Sequence, residues 1–380
     1  MKVVIATDSF KGTLRADEAC GIIASVIRDV LPDAEISIKP MADGGEGTAR
    51  TMIAATGGQW VTQEVMGPLE SRCSSGRLKA GFAWLPDQTA VVEMASASGL
   101  ELLSPEQMNP IETTTYGTGE LIMAAKEYGA HKILLAVGGS ATVDGGVGAA
   151  MALGWRFLDS HDESVPLGGG GLERIIKIVP PSIDNKLCKT VPIEVLCDVD
   201  NPLCGQRGAA RVYGPQKGAT PEMVERLEAG LAHLARVVRE QLHCDITNVP
   251  GAGAAGGLAA GAIAFMDATL VSGIETVMAH SNLRSELESA DWVITGEGCF
   301  DRQSLSGKVV AGVLKMARQT KTRVAVLAGQ VKIPPGEYEK MGIEIAISAK
   351  TEDMPLSDAL KNSRTLLRSA TRRFVEKYLF

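Results

Sequence analysis

The sequence predicts an α/β protein: a doubly wound parallel-sheet, Rossmann-like domain with a second α/β domain inserted into it. Three observations carry this expectation. The 380 residues exceed the roughly 250–300 at which one hydrophobic core stops growing. Both ends of the chain alternate strand-like and helix-like patterns. The stretch between them does not.

At the start, residues 2–6 form a β-branched run. Ala19, Ile22, Ile23, Val26, Ile27, Val30 and Leu31 then recur at helical spacing, and Ile36 and Ile38 alternate with polar neighbours, which completes a βαβ unit. The C-terminal part repeats the scheme with WVIT at 292–295, a helix near 306–318, VAVLA at 324–328, IEIAIS at 343–348 and a last helix towards Phe380. Such alternation implies a parallel sheet with helices on both faces. In the middle, strands are expected at 90–94 (AVVEM), 133–137 (ILLAV) and 193–197 (IEVLC), separated by long Gly-rich segments. One long amphipathic helix opens with Thr220 as N-cap and Pro221 at its first position, and carries Met223, Leu227, Leu231, Leu234 and Val238 on one face. The expected domains are therefore 1–60 plus 285–380, discontinuous, and an inserted 61–284. The chain would cross between them near Gly57–Gly58 and Ser281–Ser285.

Composition narrows the function. Hydrophobic residues at 45% and charged residues at 22% exclude disorder as the general state. The 42 glycines against 4% aromatics favour ligand binding through backbone loops over stacking platforms. A net charge of −7, with no Lys/Arg block, argues against nucleic-acid and anionic-membrane partners. The apolar stretch 252–266 is Gly/Ala-rich and shorter than the roughly 20 residues of a bilayer span. The start lacks the pattern of a signal peptide, so a cytoplasmic protein is expected. Seven cysteines without a C-x-x-C pair point to reduced thiols, and five histidines without H-x-x-x-H or H-E-x-x-H spacing leave zinc unsupported. A bound metal would need oxygen ligands.

Several strand-end segments carry candidate chemistry. Asp8, Ser9 and Lys11 follow the first strand, where open α/β sheets bind ligands; a plain capping loop is the competing interpretation. Asp43-Gly44-Gly45-Glu46-Gly47 follows the second strand, and Asp144-Gly145-Gly146-Val147-Gly148 echoes it. Each D-G-G-x-G loop leads into a helix whose first N–H groups and dipole suit an anion, although tight packing also uses such glycines. Gly138, Gly139, Ser140 and Thr142 enlarge the second loop into a cradle that is not of Walker type. Gly251, Gly253 and Gly256 match G-x-G-x-x-G letter for letter, but a poor strand ending in Pro250 precedes them. Close backbone approach suits them better than a nicotinamide site. Carboxylates recur after strands at Asp198, Glu297 and Asp301, and magnesium takes one or two such groups plus substrate phosphates.

Taken together, DSFKGTL, ADGGEGT, EMASASGL, YGTGELI, VGGSATVDGG, CDVDNPL, YGPQKGAT, PGAGAAGG and TGEGCFDRQSLSGK resemble the bacterial type I glycerate kinase family, in order and over nearly the whole chain. The resemblance implies transfer of the ATP γ-phosphoryl group to glycerate, with the 2-hydroxyl as acceptor. The departures are Thr7 in the first loop and Cys299-Phe300 where the family has a basic residue, with Arg302 as a candidate replacement. On this basis the loops 138–146 and 251–257 are expected to meet the ATP phosphates, Lys217 and Lys308 to neutralise them, and Glu297 and Asp301 to hold Mg2+. The glycerate carboxylate would meet Lys11, Ser9 or the loop Gly44-Gly45-Glu46, near Asp8. Asp198 or Asp43 would accept the hydroxyl proton. A non-catalytic hydroxy-acid sensor is the rival class, and an oligomer is compatible with the sequence.

Overall fold

The structure, a computed structural model, describes residues 1–69, 77–182, 191–305 and 308–379. In chain order the strands of its two main sheets are β1 (Lys2–Ile5), β2 (Glu35–Ile38), β3 (Gln59–Met66), β4 (Arg77–Trp84), β5 (Thr89–Glu93), β6 (Lys132–Ala136), β7 (Ile193–Leu196), β8 (Thr269–Val271), β9 (Trp292–Thr295), β10 (Arg323–Ala328) and β11 (Ile345–Ser348). The principal helices are α1 (Ala16–Val30), α2 (Thr48–Thr56), α3 (Tyr116–Glu127), α4 (Val147–Ala152), α5 (Pro221–Leu242), α6 (Leu258–Met266), α7 (Val309–Thr320) and α8 (Ser363–Tyr378). The chain divides into two compact units. Met1–Asp43, Arg50–Gly57 and Gly273–Phe380 form the first; Gly44–Ala49 and Gly58–Ser272 form the second.

The first unit is a parallel sheet in the order β11-β10-β9-β1-β2. One face buries Val3, Ile5, Ile294 and Leu327 under Ile23 and Ile27 of α1 and Leu367 and Phe374 of α8. Trp292 meets the Phe374 ring edge-on at 5.3 Å. Helix α7 packs over β9 and β10, and its Gly312 lies so close to the helix Gly273–His280 that a Cβ would sit 2.8 Å from Ile274. That contact keeps 273–284 with this unit, so the junction expected at 285 falls inside it.

The second unit is a mixed sheet in the order β8-β7-β6-β5-β4-β3. Strands β5 to β8 are parallel, whereas β3 and β4 pair antiparallel from Gln59↔Trp84 to Met66↔Arg77. The three expected central strands are present, each within a residue of its predicted start. The β3–β4 pair lay unread because β3 is half solvated and its exposed Trp60 breaks the apolar pattern. Helix α6 is buried nearly all round by Ala, Leu, Phe and Met, so it lacks the one-sided stripe that periodicity detects. Helix α5 is capped by Thr220 Oγ1, which accepts from the Met223 N–H, and its buried stripe begins at Val224 rather than Met223.

Candidate functional site

In the first unit β1 lies between β2 and β9, where the direction of strand addition reverses, and such switch points open a crevice at the carboxyl ends of the strands. Three loops end there. Asp8, Ser9 and Lys11 follow β1, Asp43 follows β2, and Gly296-Glu297-Gly298 follows β9. The Asp8 N–H donates to Gly296 O at 2.9 Å, and Met41 N–H to Thr7 O at 2.9 Å, so the loops are tied by backbone. Gly296 is required: a Cβ there would lie 1.8 Å from Leu327 O. Asp8 Oδ1 accepts the Ser9 N–H at 2.6 Å. Burial, reinforced by the neighbouring charges of Asp43 and Glu297, pushes the Asp8 carboxyl up to about 7; the Ser9 N–H and Lys11 oppose this without offsetting it. Burial also raises Glu297, against the Ser304 hydroxyl and Lys308. Its Oε1 is buried without a hydrogen-bond partner.

Asp301 lies one turn further on, its Oδ1 accepting the Gln303 N–H at 2.8 Å and its N–H donating to Ser304 Oγ at 3.0 Å. Beside it a cleft of about 480 Å³ is lined by Asp301, Arg302, Gln303, Lys332, Pro334 and Glu337. Arg302 reaches across to Glu337 at 3.4 Å. The cation that faces the Cys299 thiol is Lys332, so Arg302 does not replace the basic residue expected there.

The second unit places its candidates at the ends of β5, β6 and β7. Gly138 and Gly45 meet backbone to backbone, since a Cβ on Gly138 would lie 2.5 Å from Gly45 Cα; one on Gly44 would lie 2.9 Å from Leu196 O. The glycines of the ADGGEG loop thus belong with this unit, whereas Asp43 belongs with the first. Asp144 is fully buried. Its Oδ2 accepts from Thr115 N–H and Oγ1 at 2.8 Å each, from Gly148 N–H at 3.3 Å and from Thr114 Oγ1 at 3.4 Å, and its Oδ1 accepts the Gly146 N–H at 3.1 Å. Burial raises its pKa, and these donors, several of them backbone N–H groups that can only donate, favour the charged form.

Both helices that follow the D-G-G-x-G loops therefore begin on a carboxylate of the chain itself. Asp144 holds the start of α4, and Glu93 Oε1 accepts the Ala49 N–H of α2 at 2.6 Å. The anion expected at these helix starts is supplied internally, which corrects the reading of Asp144 as a nucleotide contact. Lys217, expected on the phosphates, is 1% exposed and donates to Ser140 Oγ at 2.6 Å and to Thr142 O at 2.7 Å. Direct contact with a ligand is closed to it. Gly251, Gly253 and Gly256 serve close packing: Gly256 has φ +64° and would place a Cβ 1.9 Å from Thr142 O, Gly253 one 2.3 Å from Pro202 O, and Gly251 one 3.1 Å from Cys197 Sγ. Gly256 thus buttresses the loop Gly138–Gly145, whose Gly145 N–H donates to Gly256 O at 3.1 Å, whereas Gly251 and Gly253 press on the segment 197–202. Asp198 Oδ1 accepts the Ser272 hydroxyl at 2.7 Å.

Comparison with known proteins decides the family. The model of the "Glycerate kinase family" matches residues 3–379. The chain belongs to the glycerate kinase family. It is 43% identical to the glycerate 2-kinase of Escherichia coli K12 over 96% of this chain and 94% of that one. It is 42% identical to the glycerate kinase of Halalkalibacterium halodurans over 97% and 96%. A crystal structure described as glycerate kinase 2 from Salmonella typhimurium LT2 superposes with a TM-score of 0.85 at 42% identity, covering 99% of this chain and 97% of that one.

Beside or within two of the segments that carry the glycerate kinase resemblance lie residues around the Asp144 loop that sequence reasoning left out. Thr113, Thr114 and Thr115 precede YGTGELI. Thr113 Oγ1 donates to Ala141 O at 2.8 Å, and Thr115 Oγ1 accepts the Ala149 N–H at 2.9 Å while donating to Asp144. Three successive hydroxyls before a helix were the available signal. Ser98 of EMASASGL accepts the Ala141 N–H through its carbonyl at 2.9 Å. Among the described residues no three His, Cys, Asp or Glu side chains gather closely enough to cage a metal, and no helix is long and apolar enough to cross a membrane. Cys20, Cys197, Cys204, Cys244 and Cys299 are free thiols; Cys73 and Cys188 lie outside the described residues.

Proposed function

We propose that the chain phosphorylates D-glycerate at its 2-hydroxyl, using ATP with Mg2+ and yielding 2-phosphoglycerate and ADP, in glycerate and sugar-acid catabolism. The observation that carries this reading is the loop Gly138–Gly145. It is a glycine-rich strand-end turn whose shape is fixed from behind by Asp144, Lys217 and Gly256 and by the N–H groups of Gly138, Ala141 and Gly145, which donate to Gly44 O, Ser98 O and Gly256 O, so that the N–H groups of Gly139 and Ser140 are the ones left to meet phosphate oxygens. Gly139 and Ser140 take the nucleotide phosphates while Gly138, Thr142 and Gly145 shape the turn, and Lys308, close enough to act on Glu297, neutralises phosphate charge. The glycerate carboxylate meets Lys11 and Ser9, next to Asp8, or the amides of Gly44, Gly45 and Glu46. Asp43 or Asp198 accepts the hydroxyl proton. Phosphoryl transfer asks little covalent work of such residues beyond alignment and charge stabilisation.

The residues present fit a magnesium ion. Glu297 offers a buried oxygen without a partner, Asp301 stands near it, and a hard cation that keeps most of its waters needs no larger protein cage. When bound, the ion would neutralise phosphate charge. Free thiols and an ATP requirement suit a cytoplasmic setting. The test is phosphorus NMR of a mixture of protein, D-glycerate, ATP and Mg2+. We expect resonances of 2-phosphoglycerate and ADP, suppressed by a chelator. A 3-phosphoglycerate product overturns the assigned position, and unchanged ATP overturns the reaction.

A further inference from the structure

We propose that Lys217 is a positioning residue that supplies the positive charge of the loop Gly138–Asp144 from its buried side, and that nucleotide binding at this loop draws a proton onto it. The inference rests on the proposal that ATP phosphates bind this loop.

The geometry separates Lys217 from a simple phosphate ligand. Its side chain is almost fully buried, and Nζ spends two of its hydrogens on Ser140 Oγ and Thr142 O, one at each side of Ala141. The turn that carries it cannot swing outward easily. Gly218 has φ +89°, and a Cβ at that position would lie 2.3 Å from Met108 O, so the chain is pressed against its neighbour immediately after the lysine. Thr142 Oγ1, in the same loop, is buried without a partner. The loop is thus incompletely satisfied as it stands.

The charge balance is also incomplete. The charged group that faces Lys217 is Asp144; Ser140 and Thr142, which it touches, do not titrate, and neither does Met108 beside its turn. Asp144 makes its hydrogen bonds with Thr114, Thr115, Gly146 and Gly148. It therefore acts on the lysine only through space. Burial outweighs that attraction and pulls Lys217 from its ordinary 10.5 down to about 7. Near neutral pH the ammonium is only partly formed. A triphosphate in the loop adds negative charge in a poorly screened environment and favours the ammonium, so Nζ takes one proton from solvent and only an N–H bond forms. Linkage then requires the converse: nucleotide affinity falls as pH rises above 7. A lysine with a purely structural role changes no protonation on binding.

Calorimetric titration of the full chain with a non-hydrolysable ATP analogue and saturating Mg2+ tests this at pH 8, in buffers of different ionisation enthalpy. At that pH the magnesium-bound nucleotide is already deprotonated, and a site of positive charge holds it in that form, so it takes up no proton of its own. We expect net uptake of about half a proton or more per nucleotide, an observation on the unmodified protein that needs no variant to fold. Lys217→Arg keeps a charge that does not titrate, and should bind without uptake and with affinity level from pH 7 to 9. Lys217→Met should bind at least about tenfold more weakly at pH 7, again without uptake. Binding with identical heats in all buffers overturns the inference while leaving the ATP reading intact. Uptake that persists in Lys217→Met overturns it too, because the proton then goes elsewhere. Failure of the analogue to bind at all overturns the ATP reading, and this inference with it.

Discussion

The two units treat strand-end carboxylates in opposite ways. In the second, Asp144 is fully buried and surrounded by five donors, and Glu93 closes the start of α2. In the first, Asp8 is backed by the N–H of Ser9 but sits among Asp43 and Glu297, and one oxygen of Glu297 is buried with no partner. Burial alone does not separate these acids. The supply of donors does: a satisfied buried carboxylate costs little and holds the backbone around it, whereas an unsatisfied one is a standing penalty that a cation or a proton can relieve. On this contrast the acid of the glycine loop is a residue of stability, and we propose those of the first unit as residues of binding.

The largest expected effect comes from Asp144→Ala. It leaves five donors and the Lys217 charge without their partner, and should cost about 3–5 kcal/mol of stability, measured by denaturant unfolding. A variant within about 1 kcal/mol of the parent that is nonetheless inactive would place Asp144 with the binding acids and erase the contrast.

Glu297→Gln should behave in the opposite manner. We expect kcat to fall about 100-fold or more, about 2.7 kcal/mol of transition-state stabilisation, while the melting temperature holds or rises. Asp301→Asn should show a smaller loss that excess Mg2+ partly restores. Full kcat in both variants at saturating Mg2+ removes the metal assignment.

Asp8→Asn sharpens the comparison further through its pH dependence. The Asp8 pKa is raised in the folded protein to about 7 from 3.8, so between these values the folded state binds the extra proton. Its contribution to stability falls as pH rises from about 4 to 7, and the full penalty applies above 7. The neutral amide escapes it. The variant should therefore be more stable than the parent by about 1–3 kcal/mol at pH 8, with the gain vanishing below pH 4, and should be less active. Thermal unfolding across pH 3.5–8 measures this. Equal curves would mean that Asp8 is solvated in solution.

Where sequence and structure part, the cause is specific. The β1–α1–β2 unit and the β9–α7–β10 alternation were legible because β1, β9 and β10 are short apolar runs, with β1 and β9 each buried between two neighbouring strands, and α1 and α7 each carry a buried apolar stripe. The glycine motifs were legible as positions but not as purposes. Gly256 and Gly138 look alike in a string, yet one is pressed on Thr142 O and the other on Gly45 Cα, and only tertiary packing reveals which backbone approaches which. The same holds for Lys217. Its sequence context, PQKGA, is that of a surface turn, and nothing local foretells a side chain directed inward to a loop seventy-odd positions earlier. Glu93 was a missed signal of a readable kind, since an acid ending an apolar strand needs a donor.

The smallest expected effect belongs to Lys11, an exposed lysine whose charge reaches Asp8. If it meets the glycerate carboxylate, Lys11→Ala should raise KM for glycerate by about five- to tenfold, as befits a solvent-exposed ion contact, and leave KM for ATP nearly unchanged. The same change has a second consequence. Lys11 is one of the two groups that oppose the upward shift of Asp8, so its removal should lift Asp8 further and carry any Asp8-dependent limb of the pH–rate profile to higher pH. The two readouts are independent, because substrate affinity reports contact and the profile reports field. A raised KM for ATP instead would move Lys11 to the donor side. A shifted profile with both KM values unchanged would leave it acting only through Asp8, and the carboxylate of glycerate would then fall to Ser9 and the amides of Gly44, Gly45 and Glu46.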